Sequence, residues 1–267
     1  MGQEQLEKLR AWFDDYVAGF YGDDDFLNAN IKLKEEHSRR TCEEMLYLAE
    51  KLRLSENQKR VADVAALFHD IGRFEQFVRY RTYNDSRSVN HCLLGLDVLR
   101  RAKVLDGLEG KEKQLIEKAI EYHGLKELPA GLDGDCLLFS KLIRDADKID
   151  IYYVVTDYYR QYRDNPDGFK LEIELPNKPG YSVQVVEDVL RGRRVDYSRL
   201  QTWNDAKLCQ LAWVYDINFA PTLERVRQRG FLEMIFEFLP KTADIEKVRE
   251  KIFGYVNSRM EQERNEK

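Results

Sequence analysis

Cysteine is sparse and scattered in this chain: Cys42, Cys92, Cys136 and Cys209 are the four present, and no two form a C-x-x-C pair. Their spacing argues against a thiolate zinc knuckle or a redox dithiol and leaves them as small core residues of a reducing compartment. Long apolar runs are also missing, and none approaches the roughly 20 residues of a membrane span. Charge of one sign does not dominate: 43 Lys and Arg stand against 48 Asp and Glu, a net of −5. The total charge therefore advertises neither a nucleic-acid partner nor an anionic membrane. The opening MGQEQLEKLR is charged where a signal peptide is apolar, and Leu6 occupies the Ser/Thr position of a myristoylation signal. The expectation is a cytoplasmic protein with no membrane partner.

Hydrophobic residues make up 43% of the chain and charged ones 34%, a globular balance rather than that of a disordered chain. The 267 residues suffice for a sizeable core; the reading is a single domain over 1–267, with an insertion and C-terminal helices over 166–267. Leu6, Leu9, Phe13, Tyr16, Val17 and Phe20 mark a first amphipathic helix. A second runs from Asn28 through His37 to Leu52. Ser55 and Gln58 form a capping box for a third, Glu56 to Ile71, which Gly72 can end. Phe74 to Ser88 reads as an ordered loop, and further helices span Val89–Ala102, Lys111–His123 and Leu137–Tyr162. Leu171, Ile173 and Leu175 alternate with charge before the turn signal Pro176-Asn177-Lys178-Pro179-Gly180, so a small hairpin is expected there. Helical spacing returns over Asn204–Asp216, Thr222–Phe238 and Asp244–Glu261. The class is all-α.

Histidine is equally scarce: His37, His69, His91 and His123 are the only four, each within or at the end of a predicted helix. His69 and Asp70 adjoin at the end of the apolar run Val61–Phe68, where burying an imidazole beside a carboxylate needs a compensating cation or hydrogen bonds. Ala62, Ala65 and Ala66 on that helix admit a close neighbour. In Arg144-Asp145-Ala146-Asp147-Lys148-Ile149-Asp150, Asp147 has Ile143 and Ile151 four residues to either side, an inward position that asks for a metal or an arginine. Asp145, flanked by Lys141 and Lys148, reads as solvated.

The order His37, His69-Asp70-Ile71-Gly72, His91, His123 and Asp147, all on helices, resembles the HD superfamily of metal-dependent phosphohydrolases over residues 28–165. The resemblance implies an HD-type helical bundle in which His37, His69, Asp70 and Asp147 hold one divalent ion. Asp70 would bridge to a second ion on His91 and His123. Imidazole and carboxylate ligands suit Mn, Fe, Co, Ni, Zn or Mg without singling one out. The implied chemistry is hydrolysis of a phosphate ester or anhydride, such as a phosphodiester, in a small substrate with nucleotides among the candidates, by metal-activated water. Asp70 and Arg73 are the expected catalytic residues, and Arg73, Lys148 and Arg81 the expected phosphate contacts. Lys148 has an alternative in pairing with Asp145. The segment with Arg79, Arg81 and Arg87 reads either as a lid over an anionic ligand or as a packed loop.

Ile71-Gly72-Arg73-Phe74 stands where guanosine-tetraphosphate hydrolases of the superfamily carry an acidic pair. Tyr122 precedes His123 and no GYP element follows, unlike in its cyclic-dinucleotide phosphodiesterases. Neither substrate class is therefore assigned. Two rival readings stand beside it: a mixed-valence di-iron oxygenase, whose HD-type members use the same six-ligand order, and a non-catalytic ligand-sensing module, a kind that often loses metal ligands whereas this chain keeps all six.

Overall fold

The computed structural model describes every residue except 133, 169, 170, 172, 174, 266 and 267, and for 263–265 the backbone alone. The described residues form helices and loops with no β-strand, which is the expected all-α class. The chain divides into two compact units, Met1–Asp150 and Ile151–Lys267.

The first unit contains α1 (Gln3–Ala18), α2 (Asp25–Lys51), α3 (Glu56–Phe68), α4 (Gly72–Tyr80), α5 (His91–Arg101), α6 (Gly110–His123) and the first half of α7 (Gly134–Asp164). Helix α1 buries Leu6, Leu9, Phe13 and Val17, the face set by its sequence period. Asp24 caps α2, accepting from the Leu27 amide at 2.9 Å. The Ser55–Gln58 capping box opens α3 as the sequence indicates. Every residue from Val61 to Phe68 is buried, and Ala62, Ala65 and Ala66 are wholly inaccessible, so α3 packs against α1, α2 and α6.

Gly72 does not end a long third helix. Helix α3 stops at Phe68, and Gly72 opens α4, which occupies the first half of the segment expected to be a loop. A Cβ on Gly72 would lie 2.3 Å from the His91 carbonyl oxygen and 2.6 Å from the Gly95 amide nitrogen. The glycine thus serves a backbone-to-backbone approach of α4 to α5. A short 3₁₀ turn at Asp85–Arg87 follows.

The second unit contains the rest of α7, then α8 (Val183–Leu190), α9 (Trp203–Ala212), α10 (Ala220–Gln228), α11 (Phe231–Glu237) and α12 (Ala243–Asn265). The expected hairpin is absent among the described residues, which exclude Lys170, Glu172 and Glu174. Leu171, Ile173 and Leu175 instead pack against Val155, Tyr158, Tyr159 and Trp203, so their alternation reflects contact with an aromatic cluster rather than a ladder. The Ser182 amide and hydroxyl both donate to the buried Asp205 carboxylate, at 2.6 and 2.7 Å. Val183 then begins a helix instead of a return strand. Gly230, with φ of +67°, splits the expected Thr222–Phe238 helix into α10 and α11.

Gly72→Ala gains about 1 kcal/mol of helix propensity, but overpacking costs about 1–3 kcal/mol and more where backbone cannot yield. A net destabilisation of at least about 1 kcal/mol is expected in denaturant unfolding. Gly107→Ala, with open space around its Cβ, should stay within about 0.5 kcal/mol of the parent. Equal stability of the two variants would contradict the close approach.

Candidate metal centre

Five helices of the first unit aim polar side chains at one place. Helix α2 supplies His37, the end of α3 His69 and Asp70, the first residue of α5 His91, the last residue of α6 His123, and α7 Asp147. The Asp70 carboxylate lies between two groups of donors. Its Oδ2 is 3.5 Å from His37 Nε2 and 3.7 Å from His69 Nε2. Its Oδ1 is 3.5 Å from His91 Nε2 and 3.7 Å from His123 Nε2. Asp147 Oδ1 joins the first group, 3.2 Å from His37 Nε2 and 3.8 Å from His69 Nε2. The two Nε2 atoms are 3.1 Å apart in the first pair and 3.0 Å apart in the second. Such separations suit two nitrogens each about 2.0–2.1 Å from one ion.

Each imidazole is held by its other nitrogen. His69 Nδ1 and His123 Nδ1 donate to the carbonyls of Ala66 and Ile120, three residues earlier, at 2.7 Å each. His37 Nδ1 donates to Asp150 Oδ2 at 2.7 Å, and His91 Nδ1 to Asp85 Oδ2 at 2.6 Å. A carbonyl or carboxylate on Nδ1 fixes the proton there and leaves the Nε2 lone pair as the ligand, the usual support of a metal-binding histidine. The donor set therefore fits divalent ions. Arg40 Nε donates to Asp150 Oδ1 at 2.6 Å, and Arg73 NH1 and Gln76 Nε2 donate to Asp85 Oδ1 at 2.8 and 2.9 Å.

Electrostatics agree with this arrangement. Burial would raise the Asp70 pKa, but Lys34, His69 and Arg73 outweigh it and hold the carboxyl well below the usual range. The Lys34 ammonium donates to Asp70 Oδ2 at 2.7 Å. Burial pushes the His69 imidazole down to about 3, so it is neutral and ready to ligate. His37 and His123 move the other way: burial opposes protonation, but Asp147 and Asp150 around His37, and Cys92 and Asp70 around His123, outweigh it. Cys92 is itself lowered to about 6, since His123 and His91 overcome the effect of burial.

All six expected ligands converge here. Arg73, 15% exposed, places Nε 3.3 Å from Asp70 Oδ1 and donates through NH1 to Gln76, Asp85 and the Tyr83 carbonyl. Lys148 is half-buried beside Asp147, with Nζ 3.5 Å from the Arg144 carbonyl. Arg81, at the end of α4, pairs with Asp24 at the surface, and Arg79 with Glu75. Asp145 corrects the sequence reading: it is fully buried, at the edge of the face of α7 that buries Leu142, Ala146 and Ile149, while Lys141 and Lys148 beside it are half-buried. The cysteines are buried as expected, but Cys92 lies against two site histidines rather than in apolar core.

The sequence reading missed Lys34, Asp85, Cys92 and Asp150. Asp150 was findable, since it shares a helix face with Asp147 at a spacing of three. Asp85 had no local signal, for it reaches His91 through a 3₁₀ turn that only tertiary packing defines.

These features define a helical metal-binding domain in which one buried carboxylate is shared by two pairs of histidines. Residues 35–152 match the family model described as HD domain, a span that contains all six expected ligands. Over this segment the chain is similar to HD domains, which points to the metal-dependent phosphohydrolase superfamily. The bifunctional uridylyltransferase/uridylyl-removing enzyme of Cereibacter sphaeroides is 25% identical over 157 residues, 57% of this chain and 16% of that protein. The chain thus corresponds to a small part of that relative. No solved structure matches significantly. Among the described residues no helix is long and apolar enough to cross a membrane.

Two outcomes follow. Asp147→Asn should keep the fold and lower first-site metal affinity about tenfold or more, whereas Asp145→Asn should destabilise by about 1–3 kcal/mol as a buried polar group loses its charge. Metal analysis and denaturant unfolding of both variants check this pair. Metal uptake should also release protons, because His37 and His123 keep theirs to higher pH than an ordinary imidazole and must lose them to ligate through Nε2. Apparent affinity then weakens as pH falls, with more protons released near pH 6 than near pH 9, as titration calorimetry in buffers of different ionisation enthalpy would read.

Proposed function

We propose that this chain is a metal-dependent phosphohydrolase that cleaves a phosphate ester or anhydride of a small substrate. In this reading it works with two divalent ions. One observation carries the two-ion reading: the two oxygens of Asp70 are divided, Oδ2 toward His37 and His69 and Oδ1 toward His91 and His123. A buried carboxylate placed between two imidazole pairs is the donor arrangement of a bridged pair of cations.

When bound, such ions supply a water of lowered pKa and neutralise charge on the phosphate oxygens. The protein's own share is orientation. Asp150 and Asp85 hold His37 and His91 through Nδ1, and the Ala66 and Ile120 carbonyls hold the other two imidazoles. Arg73 and Lys34 approach Asp70 from opposite oxygens, and with Lys148 they are the cations proposed to meet the phosphate. Arg81 would have to leave Asp24 to join them. The relative's printed name includes uridylyl removal, so nucleotidylated compounds belong among the substrates to try.

The test is hydrolysis of phosphomonoesters, nucleotides, cyclic nucleotides and nucleotidylated compounds by protein reconstituted with Mn, Zn or Mg. Turnover with redox-inert Zn or Mg is expected and would exclude the di-iron oxygenase. Asp70→Ala should empty both sites and abolish turnover, while His91→Ala or His123→Ala should release one equivalent of metal and keep the other. Protein carrying two equivalents that hydrolyses nothing on the panel would sink the hydrolase reading and favour a sensing module.

A further inference from the structure

Lys34 and Arg73 come from different helices, α2 and α4, yet both rest on one residue of the segment between α4 and α5. That residue is Tyr83, which is half-buried. Its ring centroid is 5.3 Å from the Lys34 Nζ and 5.9 Å from the Arg73 guanidinium carbon. Its carbonyl accepts from Arg73 NH1 at 2.6 Å. Its hydroxyl donates at 2.8 Å to the carbonyl of Asn30, one helical turn before Lys34. Phe77 of α4 packs against the ring, with centroids 4.6 Å apart. Arg79 and Arg81 of the same aromatic and basic segment pair instead with Glu75 and Asp24, and it is a tyrosine that reaches the site.

We propose that Tyr83 is a positioning residue that holds Lys34, and with it Arg73, where both cations can meet the oxygens of a bound phosphate. The proposal rests on the phosphohydrolase reading but not on the number of ions. Two cations gathered at one carboxylate repel each other, and the electron-rich face of an aromatic ring offsets part of that cost. Asp70 is also an expected metal ligand, and a carboxylate that ligates an ion has less charge left for its other partners. The ring and carbonyl of Tyr83 are outside the ligand set, so their hold on the two cations is independent of what Asp70 binds.

The two cations depend on this residue unequally. Arg73 NH1 donates to Gln76 and Asp85 as well as to the Tyr83 carbonyl, and none of these contacts uses the Tyr83 side chain. Lys34 is met by the Asp70 carboxylate and by the Tyr83 ring itself. An ammonium on a flexible four-carbon stem gains more from a fixed neighbour than a guanidinium already clamped by several acceptors. Loss of the ring therefore acts mainly through Lys34.

Calorimetric titration of inorganic phosphate into protein holding its metal ions tests this without reference to turnover. Phenylalanine at position 83 keeps the ring, and pentafluorophenylalanine there keeps the shape but removes the electron-rich face. Tyr83→Phe should bind phosphate within about threefold of the parent, since one hydroxyl hydrogen bond is lost. The fluorinated ring and Tyr83→Leu should each weaken binding on the order of tenfold at unchanged metal content. In a Lys34→Met background, itself weaker for phosphate, the fluorinated ring should cost no more than about a further twofold. Equal affinities with the plain and fluorinated rings, or losses that simply add to that of Lys34→Met, would overturn the proposal and leave the phosphohydrolase reading intact, even if Tyr83→Leu failed to fold. Metal-loaded parent protein that takes up no phosphate would overturn the phosphate site and this proposal with it.

Discussion

Asp70 is a carboxylate buried between two pairs of imidazoles, and the rest of the first unit is arranged around that constraint. An ionised carboxylate removed from water needs cations or hydrogen bonds close by. Lys34 and Arg73 meet that need from the side chains, and the four histidines surround what remains. Helix α3 delivers Asp70 from a stretch of small and apolar residues that lets α1, α2 and α6 close in. Gly72, two residues later, lets α4 lie against the start of α5, so the same glycine that turns the chain away from Asp70 also brings His91 to it. Packing and chemistry here share residues.

The convergence of the six expected ligands was legible in the sequence because few other readings accommodate them. With four histidines in the chain, their order around the adjacent His69 and Asp70, together with Asp147 on an apolar stripe, left little freedom. Asp145 was misread for an instructive reason. Lys141 and Lys148 suggested a solvated face, but Leu142 and Ile149 lie at positions i−3 and i+4 from it and mark a buried one. The buried face of the helix extends there to Asp145 while both lysines are only half-buried, and a period argument assigns a residue between two faces poorly. Leu171, Ile173 and Leu175 misled in the same way, since alternation reports alternating burial and does not specify a partner strand. Lys34 and Cys92 were beyond reach, because Asp70 and His123 meet them from 36 and 31 residues away, and Asp85 because the turn that aims it at His91 leaves no periodic signal.

The hydrogen-bond network also explains why the site holds more aspartates than the two expected to ligate. Asp150 and Asp85 face away from the donor groups and orient one imidazole each, and each is secured in turn by an arginine, Arg40 or Arg73. Carboxylates at the second remove keep the ligand nitrogens aimed while leaving the ligand atoms themselves uncommitted.

The anchoring of the four imidazoles divides in a way that matters for how such a centre can change. In each pair, one histidine leans on its own helix through a carbonyl three residues back, and its partner depends on an aspartate from elsewhere in the chain. The helix-anchored member persists wherever the helix does. The other is adjustable, through α7 for the first pair and through the turn at Asp85 for the second. Variation in that short turn can therefore reorient His91 while His37 and His69, held from other helices, stay as they were, so the two halves of the histidine cluster can change independently.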